Sequence, residues 1–310
     1  MFENFMIVLP LIICIAAGYY FKRSGMLNSE GAAQMGRIVF RVVTPCAIFR
    51  LTMTLKAEDL TNVRFIAVFY SCIIISLLAV WFIGLFRKGT RRRRSTSYLM
   101  VLRTNNVYIG IPMIMMLWGE EMMSSYALLV ALTMAAIEIS SSLAALASVN
   151  DGIKASSLKY VLRSLFANPA VLSALAGTFW GLALARPLPR FIDLPMEIFS
   201  NLGTGLALIT LGMRFEPKRL MHGLRTTWQD SAIRLILVPV IVWTAFRLFP
   251  TSPDLVRVAV LIMALPAAAN TPSMAEDMGM DGKYAANAVI ATTILSIFTL
   301  PLLLNTLLRV

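Results

Sequence analysis

Two segments of this chain concentrate groups that could bind a solute: Asn105-Asn106-Val107-Tyr108-Ile109-Gly110-Ile111-Pro112 and Leu265-Pro266-Ala267-Ala268-Ala269-Asn270-Thr271-Pro272. Asn105, Asn106 and Asn270 offer amide N–H donors, and Tyr108 and Thr271 offer hydroxyls. Gly110, Pro112, Pro266 and Pro272 interrupt any helix they stand in. A helix broken inside a bilayer exposes backbone groups at a cost of roughly several kcal/mol each, unless they line a cavity or are buried against protein. Where the helix resumes, its N-terminus carries positive partial charge and free N–H groups, so the chemistry on offer is hydrogen bonding to an anion. The alternative for the three amides is that they only satisfy the broken backbone.

Ionisable residues near the same depth extend this reading. Arg103 stands just before Asn105 and could neutralise a carboxylate through its guanidinium fork, pair with Glu138, or snorkel to the interface. Arg41 lies deep in the second apolar span beside Thr44-Pro45, where a cation could face a substrate path, whereas Arg50 is expected to reach the outer interface. Glu138 occupies the middle of Met134-Ala135-Ala136-Ile137-Glu138-Ile139-Ser140-Ser141-Ser142. An ionisable group at bilayer depth costs roughly 2.5 kcal/mol or more and is a functional candidate by default. Glu138 therefore reads either as a proton carrier or as the structural partner of a buried arginine. Asp277, shortly after the second break, is a second proton-path candidate; so near a helix end, it and Glu276 could equally be hydrated acids. His222 stands among Lys218, Arg219 and Arg225 and reads as a solvated loop residue. Cys14, Cys46 and Cys72 lie inside apolar spans, which suggests neither a disulfide framework nor a zinc site.

The elements that must hold these groups follow from composition. Of 310 residues 58% are hydrophobic and only 14% charged, with a mean hydropathy of +0.75; a soluble domain is roughly 25% charged. The chain is expected to be a single membrane domain, 1–310, all-α and polytopic, with no sizeable water-soluble part. Ten spans are expected, near 4–21, 33–54, 64–86, 97–117, 125–148, 168–185, 195–213, 229–249, 256–278 and 284–308. The first reads as a retained span, because Met1-Phe2-Glu3-Asn4 lacks a basic n-region. The net charge of +12 is spread through short loops without interleaved aromatics, which excludes a nucleic-acid partner. It concentrates instead on alternate loops, at Lys22 and Arg23, at Arg87, Lys88 and Arg91 to Arg94, at Lys154, Lys159 and Arg163, and at Arg214, Lys218, Arg219 and Arg225. Placing that side in the cytoplasm puts both termini outside.

Five spans in 1–149, a cytoplasmic connector at 150–167 and five more in 168–310 would turn the second half upside down relative to the first. Spacing agrees: Pro10 and Gly18 recur as Pro169 and Gly177, Thr44, Ala47 and Leu51 as Thr204, Ala207 and Leu211, and Pro112 as Pro272, all at a near-constant offset. Gly177 and Gly181 in the sixth span could permit a close helix contact, within one chain or between subunits.

These residues carry a resemblance. The run Asn105 to Pro112 followed by Trp118-Gly119-Glu120, Asn168-Pro169, Leu208-Ile209-Thr210-Leu211-Gly212, and Ala291-Thr292-Thr293-Ile294-Leu295-Ser296 with Leu300-Pro301 resemble the auxin efflux carrier family, over essentially the full length. That family includes plant auxin carriers and bacterial malate and malonate permeases. The resemblance implies a 5+5 inverted repeat whose fourth and ninth helices break and cross near the bilayer midplane. It also implies a scaffold from helices 1, 2, 6 and 7, a transport bundle from helices 3–5 and 8–10, and a homodimer formed through the scaffold. No long cytoplasmic loop separates the halves here, so a regulatory phosphorylation loop is not expected.

The expected activity is secondary transport of a small organic anion, a mono- or dicarboxylate, across the cell (inner) membrane by elevator-like alternating access. Proton coupling through Glu138 is favoured over sodium. No Walker motif, Gly-rich nucleotide loop or metal-ligand cluster stands in the sequence, so neither a cofactor nor direct ATP drive is expected. A single loop histidine and unclustered carboxylates argue against an enzyme. The competing reading is a sensor that binds an organic anion at the same crossover without moving it.

Overall fold

A computed structural model describes residues 2–87, 89–149, 163, 165–184, 186–215 and 217–308. Of the expected connector, 150–162 and 164 lie outside the described residues, as do Lys88 and Arg309. Among the described residues the chain is helical, with one isolated antiparallel bridge and no strand. The helices are α1 (Phe2–Arg23), α2 (Ser29–Ile38), α3 (Thr44–Thr52), α4 (Val63–Leu85), α5 (Arg91–Leu102), α6 (Ile111–Trp118) and α7 (Met123–Val149). They continue with α8 (Pro169–Phe179), α9 (Arg190–Met213), α10 (Pro217–Ala232), α11 (Val238–Leu248), α12 (Pro253–Ala264), α13 (Thr271–Asp277) and α14 (Gly282–Leu303).

Among the described residues six stretches are long and apolar enough to cross a membrane: Glu30–Thr52, Val63–Leu85, Glu120–Leu146, Arg190–Met213, Met221–Leu248 and Gly282–Leu308. Asn106–Trp118 and Pro169–Leu184 are shorter apolar helices. On α4 the exposed face, with Ile74, Leu78, Trp81, Phe82 and Leu85, is as apolar as the face that buries Phe65, Phe69, Cys72 and Val80. A helix apolar all round belongs in lipid, so the chain is a multi-pass membrane protein.

Proline shapes several of these helices. Thr44-Pro45, Ile111-Pro112 and Val238-Pro239 each open a helix directly after a π-helical turn, at Val39–Val43, Asn106–Gly110 and Ile233–Leu237. The proline ring clashes with the carbonyl four residues back and lacks an N–H, and one widened turn accommodates both faults without ending the helix.

The chain divides into two compact units. Unit 1 comprises Met1–Asn62, Asn106–Met134 and Asn168–Glu216, and unit 2 comprises Val63–Asn105, Ala135–Ala167 and Pro217–Val310. In unit 1, α1 lies along α9 and α3 along α8. Glycines set both contacts. A Cβ on Gly212 would collide with the Ile15 carbonyl and one on Gly18 with the Ile209 carbonyl; Gly177 and Gly181 likewise face backbone at Phe49, Met53 and Leu55. The Gly177/Gly181 pair thus serves packing within one chain. Gly212→Val is expected to separate α1 from α9 and lower the apparent melting temperature of the detergent-solubilised protein sharply. The same change at Gly205, where an added Cβ meets nothing within 4 Å, should leave it unaltered. In unit 2, α10 and α13 pack on α14, and α11 packs on α4 and α12.

Candidate functional site

Both suspected breaks exist, and they pair with each other. Helix α5 ends at Leu102 with Arg103 turned to extended backbone, and α12 ends at Ala264 with Leu265 extended. Thr104 and Ala267 then form the antiparallel bridge. The Asn105 N–H donates to the Pro266 carbonyl at 3.0 Å, and the Ala268 N–H to the Arg103 carbonyl at 2.9 Å. The Thr292 hydroxyl of α14 accepts from the Ala267 N–H at 3.2 Å. Backbone freed by one break is thus satisfied largely by the other break and by α14, which answers the accounting that buried N–H and C=O groups demand.

Beside this crossing, Arg103 and Glu138 form an ion pair at 3.7 Å, with side chains only 9% and 3% exposed. Of the three fates open to Arg103, pairing with Glu138 is the one observed, and snorkelling is not. At 3.7 Å the pair is Coulombic rather than hydrogen-bonded. The Arg103 Nε and Nη1 atoms and the Asn105 amide nitrogen are all buried without a hydrogen-bond partner. Leaving a buried donor unsatisfied costs about 1–3 kcal/mol, more for a charged group. Three such donors on neighbouring residues at a helix break are suited to receive acceptor oxygens.

The other candidates fall elsewhere. Asn106 belongs to unit 1, where its amide donates to Thr133 Oγ1 at 3.1 Å and its carbonyl accepts from the Tyr126 hydroxyl at 2.5 Å. Tyr108 packs in the unit 1 core with Val39, Ala47, Ile48 and Ala207, and its hydroxyl bonds Thr44. In the same unit Gly110 is buried, Pro112 is half-buried and Arg41 is exposed. In unit 2, Pro266 and Pro272 are buried, and Asn270 is half-buried at the start of α13 with no side-chain capping bond. Thr271 is fully buried and donates to the Ala268 carbonyl at 2.7 Å. Asp277 is exposed at the end of α13. Arg50, expected at the outer interface, pairs with Asp193 at 2.9 Å and Glu197 at 3.6 Å. The structure therefore brings together Arg103, Asn105, Glu138 and the second break, but not Asp277.

Two residues that sequence reasoning passed over are wholly buried in unit 2. Arg234 reaches the carbonyls of Val101, Ile262 and Leu265. Asp230 accepts from Arg87 at 2.5 Å and from the Tyr284 hydroxyl at 2.6 Å. Both stand at or inside an apolar stretch, so the depth argument applied to Glu138 would have found them.

A multi-span helical chain in which two helices end at breaks that pair with each other, with ionisable groups buried beside them, has the architecture of a membrane carrier. A family model described as membrane transport protein matches residues 4–304, and the chain belongs to that family, the auxin efflux carrier family. Its members are transporters and not enzymes. The chain is 24% identical to auxin efflux carrier component 5 of Arabidopsis thaliana, covering 94% of this chain and 92% of that one. It is 22% identical to an uncharacterized transporter of Methanocaldococcus jannaschii over 96% of both chains. It is 24% identical, over 94% of this chain and 92% of the relative, to a Rhizobium meliloti protein whose name proposes it as a malonate transporter.

Proposed function

We propose that this chain moves a small organic anion, a mono- or dicarboxylate, across the cell (inner) membrane as a secondary transporter. The observation that carries the reading is the trio of buried donors on Arg103 and Asn105 that make no hydrogen bond at the paired breaks. A carboxylate supplies the acceptors those donors lack and the charge that Arg103 attracts. The names of the relatives agree in chemistry, since auxin and malonate are carboxylates. Glu138 competes with the substrate for Arg103. Glu138 serves as the proton-coupling residue of the cycle, its carboxylate leaving Arg103 as an arriving substrate carboxylate takes its place.

In this reading the ten spans form a 5+5 inverted repeat with both termini outside, and broken helices 4 and 9 cross. The helices that carry the crossover move against a scaffold of helices 1, 2, 6 and 7 in an elevator-like cycle, in a homodimer. Asn270 and Thr271 serve as further substrate contacts, and Asp277 as a hydrated station for protons.

Reconstitution in liposomes tests the proposal through uptake of labelled malonate and indole acetate at controlled pH and voltage. Wild type should show saturable flux of at least one of them, Asn105→Ala should lose it, and Glu138→Gln should lose its dependence on a pH gradient. Normal flux in Asn105→Ala would overturn the site. Tight binding of an anion without any flux would favour a sensor.

A further inference from the structure

Arg234 has no carboxylate within ion-pair distance among the described residues, although its side chain is 0% exposed. Burying an uncompensated guanidinium is costly, so something other than an acid must neutralise it. Its three contacts identify the compensation. Nη1 donates to the Val101 carbonyl at 2.8 Å, Nε to the Leu265 carbonyl at 2.9 Å and Nη2 to the Ile262 carbonyl at 3.3 Å. Val101 lies in the last turn of α5, Ile262 in the last turn of α12, and Leu265 caps α12.

Each of these carbonyls loses its ordinary helical donor at a break, and that of Ile262 keeps only a long bond from the Leu265 N–H at 3.3 Å. The natural partner of Val101 is the Asn105 N–H, which is diverted to Pro266. That of Ile262 is residue 266, a proline without an N–H. That of Leu265 would be the Ala269 N–H, but α12 has already ended. Helices α5 and α12 have 12 residues each. Each helix C-terminus carries about half a negative elementary charge, so the two together present about one, the size of a single guanidinium charge and opposite in sign.

We propose that Arg234 is a positioning residue that makes the crossover selective for anions by cancelling the negative ends of both half-helices. Arg103 and Asn105 follow directly on the end of α5, and the paired second break follows directly on the end of α12. Without a cation between those ends, a carboxylate at the Arg103 and Asn105 donors would approach two concentrations of negative charge. Arginine suits the task because its planar fork reaches three carbonyls on two helices, where lysine offers the same charge at one point. The π-helical turn Ile233–Leu237, widened ahead of Pro239, sets Arg234 at this depth.

This inference rests on the organic-anion reading, and the test separates the two. The full chain is reconstituted as wild type, Arg234→Lys and Arg234→Gln. KM and maximal rate are measured for labelled malonate, with neutral malonamide as competitor, and malonate-induced stabilisation against heat is measured in detergent. Arg234→Gln should raise the malonate KM about tenfold or more and narrow the preference for malonate over malonamide. Arg234→Lys should hold KM within about threefold of wild type while melting earlier, because charge is kept and carbonyl contacts are lost. If Lys and Gln variants lose malonate affinity alike, Arg234 is only a strut and the proposal fails. Should Arg234→Gln not fold, the Lys variant decides: KM held despite earlier melting supports the proposal, and a rise of about tenfold overturns it. Wild type that neither moves nor is stabilised by any organic anion defeats the organic-anion reading itself, and the selectivity role with it.

Discussion

Glu138→Ala lowers the stability of the protein by about 3–5 kcal/mol, because it leaves the Arg103 guanidinium buried with no carboxylate in reach. The two side chains are 3% and 9% exposed, so solvent screens little of the loss. Arg103→Ala should also destabilise, by removing the guanidinium that faces Glu138. The double change Arg103→Met with Glu138→Met should be more stable than either single truncation, since both desolvated charges then disappear and methionine fills the space. Thermal and denaturant unfolding of the four proteins in detergent tests this order. A double variant no better than the worse single one would mean that the pair contributes shape rather than charge. The same double variant should transport nothing in liposomes, because the Arg103 donors are gone. Stability recovered without flux would separate the two duties of this pair.

Asp230→Ala should be comparably damaging. Asp230 is 0% exposed and receives the Arg87 guanidinium at 2.5 Å and the Tyr284 hydroxyl at 2.6 Å. Arg87 also donates to Ser97 at 3.1 Å and to Gln229, and Arg93 lies over the Tyr284 ring while donating to the Thr226 carbonyl. One carboxylate thus ties the segment after α4 to α5, α10 and α14. Truncating it takes the carboxylate from the half-buried Arg87 guanidinium and the Asp230 acceptor from the Tyr284 hydroxyl, an expected loss of about 3–5 kcal/mol. Asp230→Asn keeps one acceptor oxygen and should lose less. The exposed pair Arg257 and Asp254, at 3.5 Å, is the internal control, and Asp254→Ala should leave unfolding unchanged. Equal effects at Asp230 and Asp254 would show that burial is not what gives this network its strength.

Much of this protein was legible in the order of its residues. Apolar runs and scarce charge dictate insertion into lipid, since every backbone group there must pair within a helix. The breaks at Arg103-Thr104-Asn105 and Leu265-Pro266-Ala267 follow from proline and polar amides, whose effect on a helix is local and needs no knowledge of the fold. Glu138 stood out for the same reason, because its depth in the apolar run alone makes it expensive. Partner choice is a different kind of information. The sequence left Arg103 with three possible fates and Gly177 and Gly181 with two possible neighbours. The fold pairs the first with Glu138 and sets the second against the backbone of α3 and its C-terminal extension. The partners of Arg234 and Asp230 were hidden for the same reason. A lone charge in an apolar run announces a cost, but what offsets it lies far along the chain: Val101 is 133 residues from Arg234 and Arg87 is 143 from Asp230. Local chemistry decides where a helix must stop, and only the tertiary structure decides which distant carbonyl, carboxylate or backbone stands there to receive what the stop leaves unpaired.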